Sequence, residues 1–183
     1  MSFIDKILEF FTPWKSSKWV MWISHKDATT CAACYKLYGK IILTEAVNKT
    51  VKYPQHPYCR CRLDPLDVLP AGYATQHGTE GADYYLMHNG KLPDNYITKE
   101  QAAAMGWESQ KGNLSEVANG KTIGGNIYEN RNQKLPHANG RIWYEADINY
   151  TSGYRGNERI LYSNDGVIFV TYDHYKTFYE ISK

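Results

Sequence analysis

The spacing of apolar residues changes part-way along the chain, and this change predicts its elements. DYYLMHNG, TKEQAAAMG and NLSEVANG have helical spacing, and each ends at a glycine suited to a helix C-terminus: Gly90, Gly106 and Gly120. Thr98 is placed to N-cap the second segment, with the glutamine three residues later completing a capping box. Asn113 is placed to N-cap the third. We therefore expect three helices in this part of the chain.

Beyond these helices the pattern becomes one of alternation, which is typical of half-buried strands. Five segments are predicted to be strands: GGNIYEN, RIWYEADINY, RILYS, GVIFVTYD and KTFYEIS. The turns between them are LPHANG, TSG and SNDG. Helices followed by an antiparallel β-sheet predict the α+β class.

The stretch EADINYTSGYRGNER places charges inside a predicted β-hairpin. Glu145, Asp147 and Asn149 share one face of the strand, and the residues between them are apolar or aromatic. The returning segment brings Arg155 and Arg159 towards the polar face. Two explanations fit this arrangement: a structural ion-pair cluster, or a phosphate site that contains a carboxylate base.

Charge is divided unevenly along the 183 residues. Residues 1–78 carry ten Lys and Arg against six Asp and Glu, whereas residues 79–183 carry eleven against thirteen. The second part is therefore no general binder of polyanions, and any nucleic acid would need a local cationic cleft. Hydrophobic residues make up 43% and charged residues 22%, values typical of globular proteins.

Cysteine usage suggests a domain boundary, because all four cysteines lie within the first 61 residues. We expect a small Cys- and His-containing unit over residues 1–65, a linker over 66–78, and a larger domain over 79–183. The N-terminal stretch MSFIDKILEFFTPW predicts a short amphipathic helix that ends before Pro13. It lacks the features of a secretory signal, and no apolar run is long enough for a membrane span, so we expect no membrane association.

Six motifs together resemble one enzyme family: LPDNYITKEQAAAMGW, KGNL, GKTIGGNIY, EADINYTSGYR, RILYS and DHYKTF. In this order and spacing they closely resemble the small bacterial guanyl-preferring ribonucleases of the barnase type, over about residues 79–182. The resemblance implies the microbial ribonuclease fold. It also implies an endoribonuclease that cleaves single-stranded RNA without metal or cofactor, through a 2′,3′-cyclic phosphate that is then hydrolysed.

The resemblance also implies roles for individual residues. Glu145 is the expected general base and His174 the expected general acid. The phosphate-holding cations are expected to be Lys99, Arg155 and Arg159, and Tyr175 is expected to contact the substrate. We further expect the two arginines to lower the pKa of Glu145, with Asp147 holding both guanidiniums. From the pattern alone, each residue also has a plain explanation as a surface ion pair or a turn histidine.

The expected base-recognition loop departs from the family pattern. Its substrate-binding residues are Glu129, Asn130, Arg131 and Asn132. Asn132 stands where the family has a glutamate that accepts hydrogen bonds from guanine, so we expect a weaker guanine preference. Asn126 stands where the family has an aspartate near the active-site lysine.

The first unit resembles a different group of proteins. WISHKDATTCAACYKLYGK and HPYCRC, within residues 19–63, resemble the C-terminal strip of phage head-morphogenesis (minor head) proteins. The strip contains enough candidate ligands for a structural zinc ion: Cys31, Cys34, His56, Cys59 and Cys61. One or two disulfides, or free thiols in a small core, are the alternatives.

Two functions of different classes remain at this point. The first is a ribonuclease toxin whose N-terminal unit serves delivery, attachment or packaging, with a barstar-like inhibitor protein protecting the producing cell. Such a toxin would be made in the cytoplasm and delivered outside by a route other than a signal peptide. The second is a phage-derived structural or interaction protein with an inactive nuclease scaffold. Retention of Glu145, Arg155, Arg159 and His174 favours the first.

Overall fold

The computed structural model describes residues 13–25 and 27–183. The amphipathic helix predicted before Pro13 lies outside the described residues. The chain divides into two compact units. The first comprises the chain up to Leu66 together with Asn130–Ala138, and the second comprises Asp67–Glu129 and Asn139–Lys183. None of the helices in the described ranges is long and apolar enough to cross a membrane.

The first unit contains a three-stranded antiparallel sheet. In chain order its strands are Trp19–Ile23 (β1), Ile41–Leu43 (β2) and Arg62–Pro65 (β3). The spatial order is β2-β1-β3, so β2 and β3 are the edge strands. Val20 and Trp22 of β1 are fully buried between them and form the centre of the core. A short helix, Ala32–Leu37 (α1), connects β1 to β2.

Three helices precede the antiparallel strands of the second unit: Ala82–Asn89 (α2), Lys99–Ala104 (α3) and Leu114–Val117 (α4). Gly90 ends α2 in the left-handed conformation, with a φ of 69°. Thr98 and Gln101 form the reciprocal capping box at the start of α3. Asn113, however, does not cap α4 with its side chain. Its amide instead accepts from the Glu108 N–H and donates to the Gly106 carbonyl, closing the preceding turn.

A seven-stranded sheet forms the body of the second unit within the described residues. Its strands are Val68–Pro70 (β4), Tyr96–Ile97 (β5), Thr122–Ile127 (β6), Trp143–Asp147 (β7), Arg159–Ser163 (β8), Ile168–Thr171 (β9) and Tyr179–Ser182 (β10). Strands β6 to β10 pair antiparallel in sequence order. The two edges, β4 on β10 and β5 on β6, pair parallel. The α+β class with an antiparallel sheet is therefore confirmed, apart from these edges.

Alternation along β7 places its two faces in different surroundings. Ala146 and Ile148 are buried in a core with Ile160 and Val170 from the neighbouring strands, and Leu86 of α2 covers them. Burial of such apolar side chains is the main favourable term in folding. The opposite face of β7 carries two carboxylates, and this face forms the candidate site.

Part of the segment expected as a linker belongs to the second unit. Residues of β4 pair with β10, with Leu69 opposite Ile181. The carboxylate of Asp83, fully buried at the start of α2, accepts hydrogen bonds from the N–H groups of Gly72 (2.7 Å) and Ala74 (2.9 Å). It also accepts one from the Thr75 hydroxyl, at 2.8 Å. A buried carboxylate with three donors fixes the chain from β4 to α2.

We expect a fragment of residues 67–183 to be more stable than one of residues 79–183. The shorter fragment lacks β4 and the three donors to Asp83, and each hydrogen bond to a charged group contributes ~1.5–3 kcal/mol. After allowance for rehydration of the carboxylate, the free energy of unfolding should differ by roughly 2–4 kcal/mol, measured by urea denaturation. Asp83→Asn in the longer fragment should reproduce part of the loss. Equal denaturation midpoints would show that the segment adds nothing to the fold.

Candidate active site

Glu145 lies on the polar face of β7 and is held by two donors. Its Oε1 accepts a hydrogen bond from Lys99 Nζ at 2.7 Å, and its Oε2 accepts one from the Tyr175 hydroxyl at 2.7 Å. The Glu145 side chain is 12% exposed. Burial raises the pKa of this carboxyl, but the bonds from Lys99 and Tyr175 outweigh it, so the pKa lies below its ordinary value. The carboxylate is therefore ionised at neutral pH.

Lys99 is the first residue of α3, and Asn126 of β6 fixes that end of the helix. The Asn126 side chain accepts a hydrogen bond from the Lys99 N–H at 2.9 Å and donates to Glu100 at 2.9 Å. Asn126 is paired with Glu145 across β6 and β7, next to a β-bulge at which Gly125 has a φ of 90°. The bulge and the asparagine together bring the helix start to the strand that carries Glu145.

Asp147, two residues beyond Glu145, holds both arginines of the hairpin. Arg155 donates to its two oxygens from Nε (2.6 Å) and Nη2 (2.7 Å), a bidentate pair. Arg159 lies directly opposite on β8, with its Nε 3.0 Å from Asp147 Oδ1. The side chain of Asp147 is 2% exposed, that of Arg159 7% and that of Arg155 20%. Arg155 is thus the guanidinium more open to a ligand.

His174 lies in the loop between β9 and β10 and is exposed. Its backbone has a φ of 57°, and its N–H donates to the Asn157 carbonyl at 3.2 Å. The ring centroid lies 4.8 Å from that of Tyr175, whose hydroxyl binds Glu145. Tyr175 also stacks on Tyr128, with centroids 5.4 Å apart. The loop therefore places an imidazole beside the aromatic residue that contacts the carboxylate.

Asp173 shapes this loop, and sequence reasoning missed it. Its carboxylate accepts hydrogen bonds from the N–H groups of Lys176 (3.0 Å) and Thr177 (2.9 Å) and from the hydroxyls of Thr171 and Thr177. These bonds hold its pKa below the ordinary value despite partial burial, which raises it. The spacing of an aspartate and a threonine in DHYKT was the available signal, since Asx-type turns bond backbone groups a few residues ahead.

The expected base-recognition loop is closed by Asn130. Its side chain accepts a hydrogen bond from the Leu135 N–H (3.0 Å) and donates to the Leu135 carbonyl (2.9 Å). Asn130 itself has a φ of 47°. The amide of Asn130 is thereby used within the loop, while Arg131 and Asn132 lie exposed at its tip. Glu129 is also exposed and belongs to the second unit.

The cysteines of the first unit gather around His56. Its Nε2 lies 3.3 Å from Cys31 Sγ and 3.4 Å from Cys34 Sγ, and Cys34 Sγ lies 3.7 Å from Cys59 Sγ. Cys61 contacts the Ser24 hydroxyl at 3.5 Å, and its Sγ also lies within 4.8 Å of those of Cys34 and Cys59. All four cysteines are free thiols in the structure. The groups Cys31–Cys34–His56 and Cys34–Cys59–Cys61 are each compact enough to hold a metal ion.

Comparison with known proteins identifies the second unit. The sequence profile described as ribonuclease matches residues 79–182, more than half of the chain. The chain belongs to the ribonuclease family. Curated relatives named "Ribonuclease" come from Heyndrickxia coagulans, Bacillus intermedius and Bacillus pumilus, each 56% identical over 102 residues, or 56% of this chain. The match covers 94% of the first relative and 63% of the other two.

These comparisons confirm the resemblance of residues 79–182 to the Bacillus ribonucleases. They give no support to a phage head-morphogenesis origin of residues 19–63, which stays a prediction. In the ribonuclease domain, the structure joins Lys99, Glu145 and Tyr175 in one contact group and Asp147, Arg155 and Arg159 in a second. The pKa of Glu145 is lowered chiefly by Lys99 and Tyr175, with a smaller contribution from Arg155, one of the two arginines to which the sequence had assigned this effect.

Proposed function

We propose that this protein is a metal-independent endoribonuclease that cleaves single-stranded RNA by transphosphorylation followed by hydrolysis. The observation that carries the proposal is the Lys99–Glu145–Tyr175 group, in which a largely buried carboxylate is kept ionised. A general base for a 2′-hydroxyl needs this property. The arginines bound by Asp147 supply positive charge on the same face of β7.

In the first step Glu145 takes the proton of the 2′-hydroxyl, and the resulting oxygen attacks the adjacent phosphorus. His174, as the imidazolium, protonates the 5′-oxygen as its bond to phosphorus breaks, which yields a 2′,3′-cyclic phosphate. Lys99 and Tyr175 use two acceptor positions of Glu145, and a carboxylate has about four, so about two remain available to the substrate. Lys99 and Arg155 neutralise the charge that develops on the phosphoryl oxygens.

The second step reverses these roles. His174, now neutral, takes a proton from water, and Glu145 returns its proton to the 2′-oxygen as the cyclic phosphate opens. The test of the whole scheme is digestion of single-stranded RNA by the purified full chain with EDTA present. Product analysis should find 2′,3′-cyclic phosphates, and a substrate with one 2′-deoxy position should resist cleavage there. Cleavage at the deoxy position would rule out a 2′-oxygen nucleophile.

Base preference should be weaker than in relatives with a glutamate at the position of Asn132. A carboxylate offers charged acceptors to both N–H donors of guanine, whereas asparagine offers one neutral oxygen. Hydrogen bonds to charged groups contribute ~1.5–3 kcal/mol, against ~0.5–1.5 kcal/mol for neutral ones. Asn132→Glu should therefore raise the preference for guanine by roughly ten-fold, measured as kcat/KM on dinucleotides that differ only in the first base. A wild type already as selective as Asn132→Glu would show that another residue recognises the base.

A structural zinc ion in the first unit is part of the proposal. With Zn–S of ~2.3 Å and Zn–N of ~2.0 Å, a tetrahedral site has S···S edges of about 3.8 Å and S···N edges of about 3.5 Å. Three observed separations are close to these edges. Cys34 Sγ lies 3.7 Å from Cys59 Sγ, and His56 Nε2 lies 3.3 Å from Cys31 Sγ and 3.4 Å from Cys34 Sγ. The Nδ1 of His56 is 2.8 Å from the Pro57 carbonyl, which leaves Nε2 as the metal-facing nitrogen.

We expect purified full chain to contain about one zinc ion, with Cys31, Cys34, His56 and Cys59 as ligands. Cys34→Ser should remove the metal, because Cys34 belongs to both compact groups, whereas Cys61→Ser should retain it under this ligand set. Metal content by mass spectrometry and the thiolate-to-metal absorption of the cobalt-substituted protein provide the measurements. Loss of metal from Cys61→Ser equal to that from Cys34→Ser would overturn this ligand set.

The biological role we propose is that of a toxin. RNA cleavage in the producing cell would then require an inhibitor, by resemblance an acidic barstar-like protein whose carboxylates occupy the phosphate position near Arg155 and His174. The first unit would serve delivery, attachment or packaging, as part of a phage or delivery apparatus. Expression of the wild type and of Glu145→Gln without an inhibitor separates this role from that of an inactive scaffold, since only the wild type should stop growth.

A further inference from the structure

The segment Asn130–Ala138 belongs to the first unit, although the ribonuclease profile includes it. This segment contains Arg131 and Asn132, the tip of the expected base-recognition loop. The loop of the ribonuclease domain that is expected to bind the base is thus folded together with the Cys- and His-containing unit. Specific contacts account for this grouping.

Strand β2 supplies the main contact. It is an edge strand of the three-stranded sheet, and the Ile41 N–H donates a hydrogen bond to the Lys134 carbonyl at 2.7 Å. Edge strands present unpaired N–H and C=O groups, and here the loop fills one of those positions. The neighbouring Lys40 Nζ donates to the Gln133 side chain at 3.0 Å.

Gly39 lies against the same segment. It has a φ of 74° and is buried, and a side-chain carbon placed on it would lie 3.5 Å from Cε of Lys134. The Lys134 side chain therefore passes directly over the Gly39 backbone. Residues 133 and 134 are held at both backbone and side chain, immediately after Asn132.

We propose that the first unit is a positioning element for base recognition. By fixing Gln133 and Lys134, it restrains the adjacent Arg131 and Asn132 in the conformation that receives the base. A loop that is ordered in advance loses less conformational entropy when it binds. The proposal rests on the ribonuclease function proposed above and assigns Ile41 and Lys40, outside the ribonuclease domain, to substrate selection.

The experiment compares two variants of the full chain at one position. Ile41→Pro removes the N–H that binds Lys134, whereas Ile41→Ala shortens the buried side chain but keeps the N–H. Ile41→Pro should raise KM for guanine dinucleotides about three- to ten-fold relative to Ile41→Ala and lower the guanine-to-adenine ratio of kcat/KM by a similar factor. The kcat should change little, because no catalytic group is altered.

A second set of variants applies if proline unfolds β2. Lys40→Met and Gln133→Ala remove the side-chain contact, and Lys36→Met on α1 is the charge-matched control. The double variant Lys40→Met/Gln133→Ala should raise KM by less than the sum of the two single effects, because both single changes break the same Lys40–Gln133 hydrogen bond. Additive or absent effects on KM in these variants would overturn the proposal.

Hydrogen exchange separates this proposal from the ribonuclease function. The amides of residues 131–135 should exchange faster in Ile41→Pro than in Ile41→Ala, whether or not the chain cleaves RNA. If the wild type fails to cleave RNA, the proposed ribonuclease function is wrong, but the exchange rates still show whether the first unit restrains the loop. If the wild type cleaves RNA and exchange is equal in the two variants, the positioning role falls alone.

Discussion

Glu145→Gln and His174→Ala should each lower kcat/KM for RNA cleavage by about 10²–10⁴-fold, because general acid–base groups typically contribute this much. Glutamine can still accept the hydrogen bond from Lys99, so the local structure is retained while the proton acceptor is lost. Initial rates on a guanine-containing dinucleotide provide the measurement. Glu116→Gln, an exposed change on α4, is the control and should keep wild-type rates. A wild-type rate in either test variant would end the proposed mechanism.

The pH dependence of kcat/KM independently tests the assignment of Glu145 as the general base. Activity requires ionised Glu145, so it should fall as the pH drops through the pKa of this group, which lies below the ordinary value of 4.5. Lys99→Met removes the main lowering influence and leaves burial, which raises the pKa, so the acid limb should move to higher pH. An acid limb that stays in place in Lys99→Met would contradict the role given to Lys99.

Local signals were the most predictable part of the fold. The capping box of Thr98 and Gln101 and the left-handed Gly90 depend on residues within one helical turn, and both are present. The alternation along β7 likewise places Ala146 in the core. Asn113 does occupy the N-cap position of α4, but its side chain does not cap the helix because its amide closes the turn after α3.

Features that depend on distant partners were not predictable in the same way. The parallel pairing of Leu69 with Ile181 joins residues far apart in the chain, and no local pattern records it. The same holds for the bond between Ile41 and Lys134. The sequence did indicate the residues of the candidate site, through the family resemblance. It did not indicate that Lys99, rather than the arginines, is the main cation on Glu145, since both guanidiniums are engaged by Asp147.

Asp147→Ala should produce the largest loss of stability among single changes near the site. The carboxylate is 2% exposed and pairs with two guanidiniums, and Arg159, 7% exposed, would be left as a buried charge without its carboxylate. Removing one partner of a buried ion pair typically costs ~3–5 kcal/mol. We expect a loss of this size in the free energy of unfolding of the full chain, measured by urea denaturation. Asp94→Ala, which removes an exposed pair with Lys91, should cost about 1 kcal/mol or less.

The double variant Asp147→Ala/Arg159→Met separates the structural role of Asp147 from its role in function. Replacement of a buried ion pair by apolar side chains is often neutral or stabilising, so the second change should recover much of the lost stability. Catalysis should not recover with it, because Arg155 would still lack the bidentate partner that orients its guanidinium and the expected phosphate-holding cation Arg159 would be absent. Recovery of both stability and kcat/KM would show that Asp147 matters only for folding. Equal losses of stability in Asp147→Ala and Asp94→Ala would show that the buried pairing contributes no more than an exposed one.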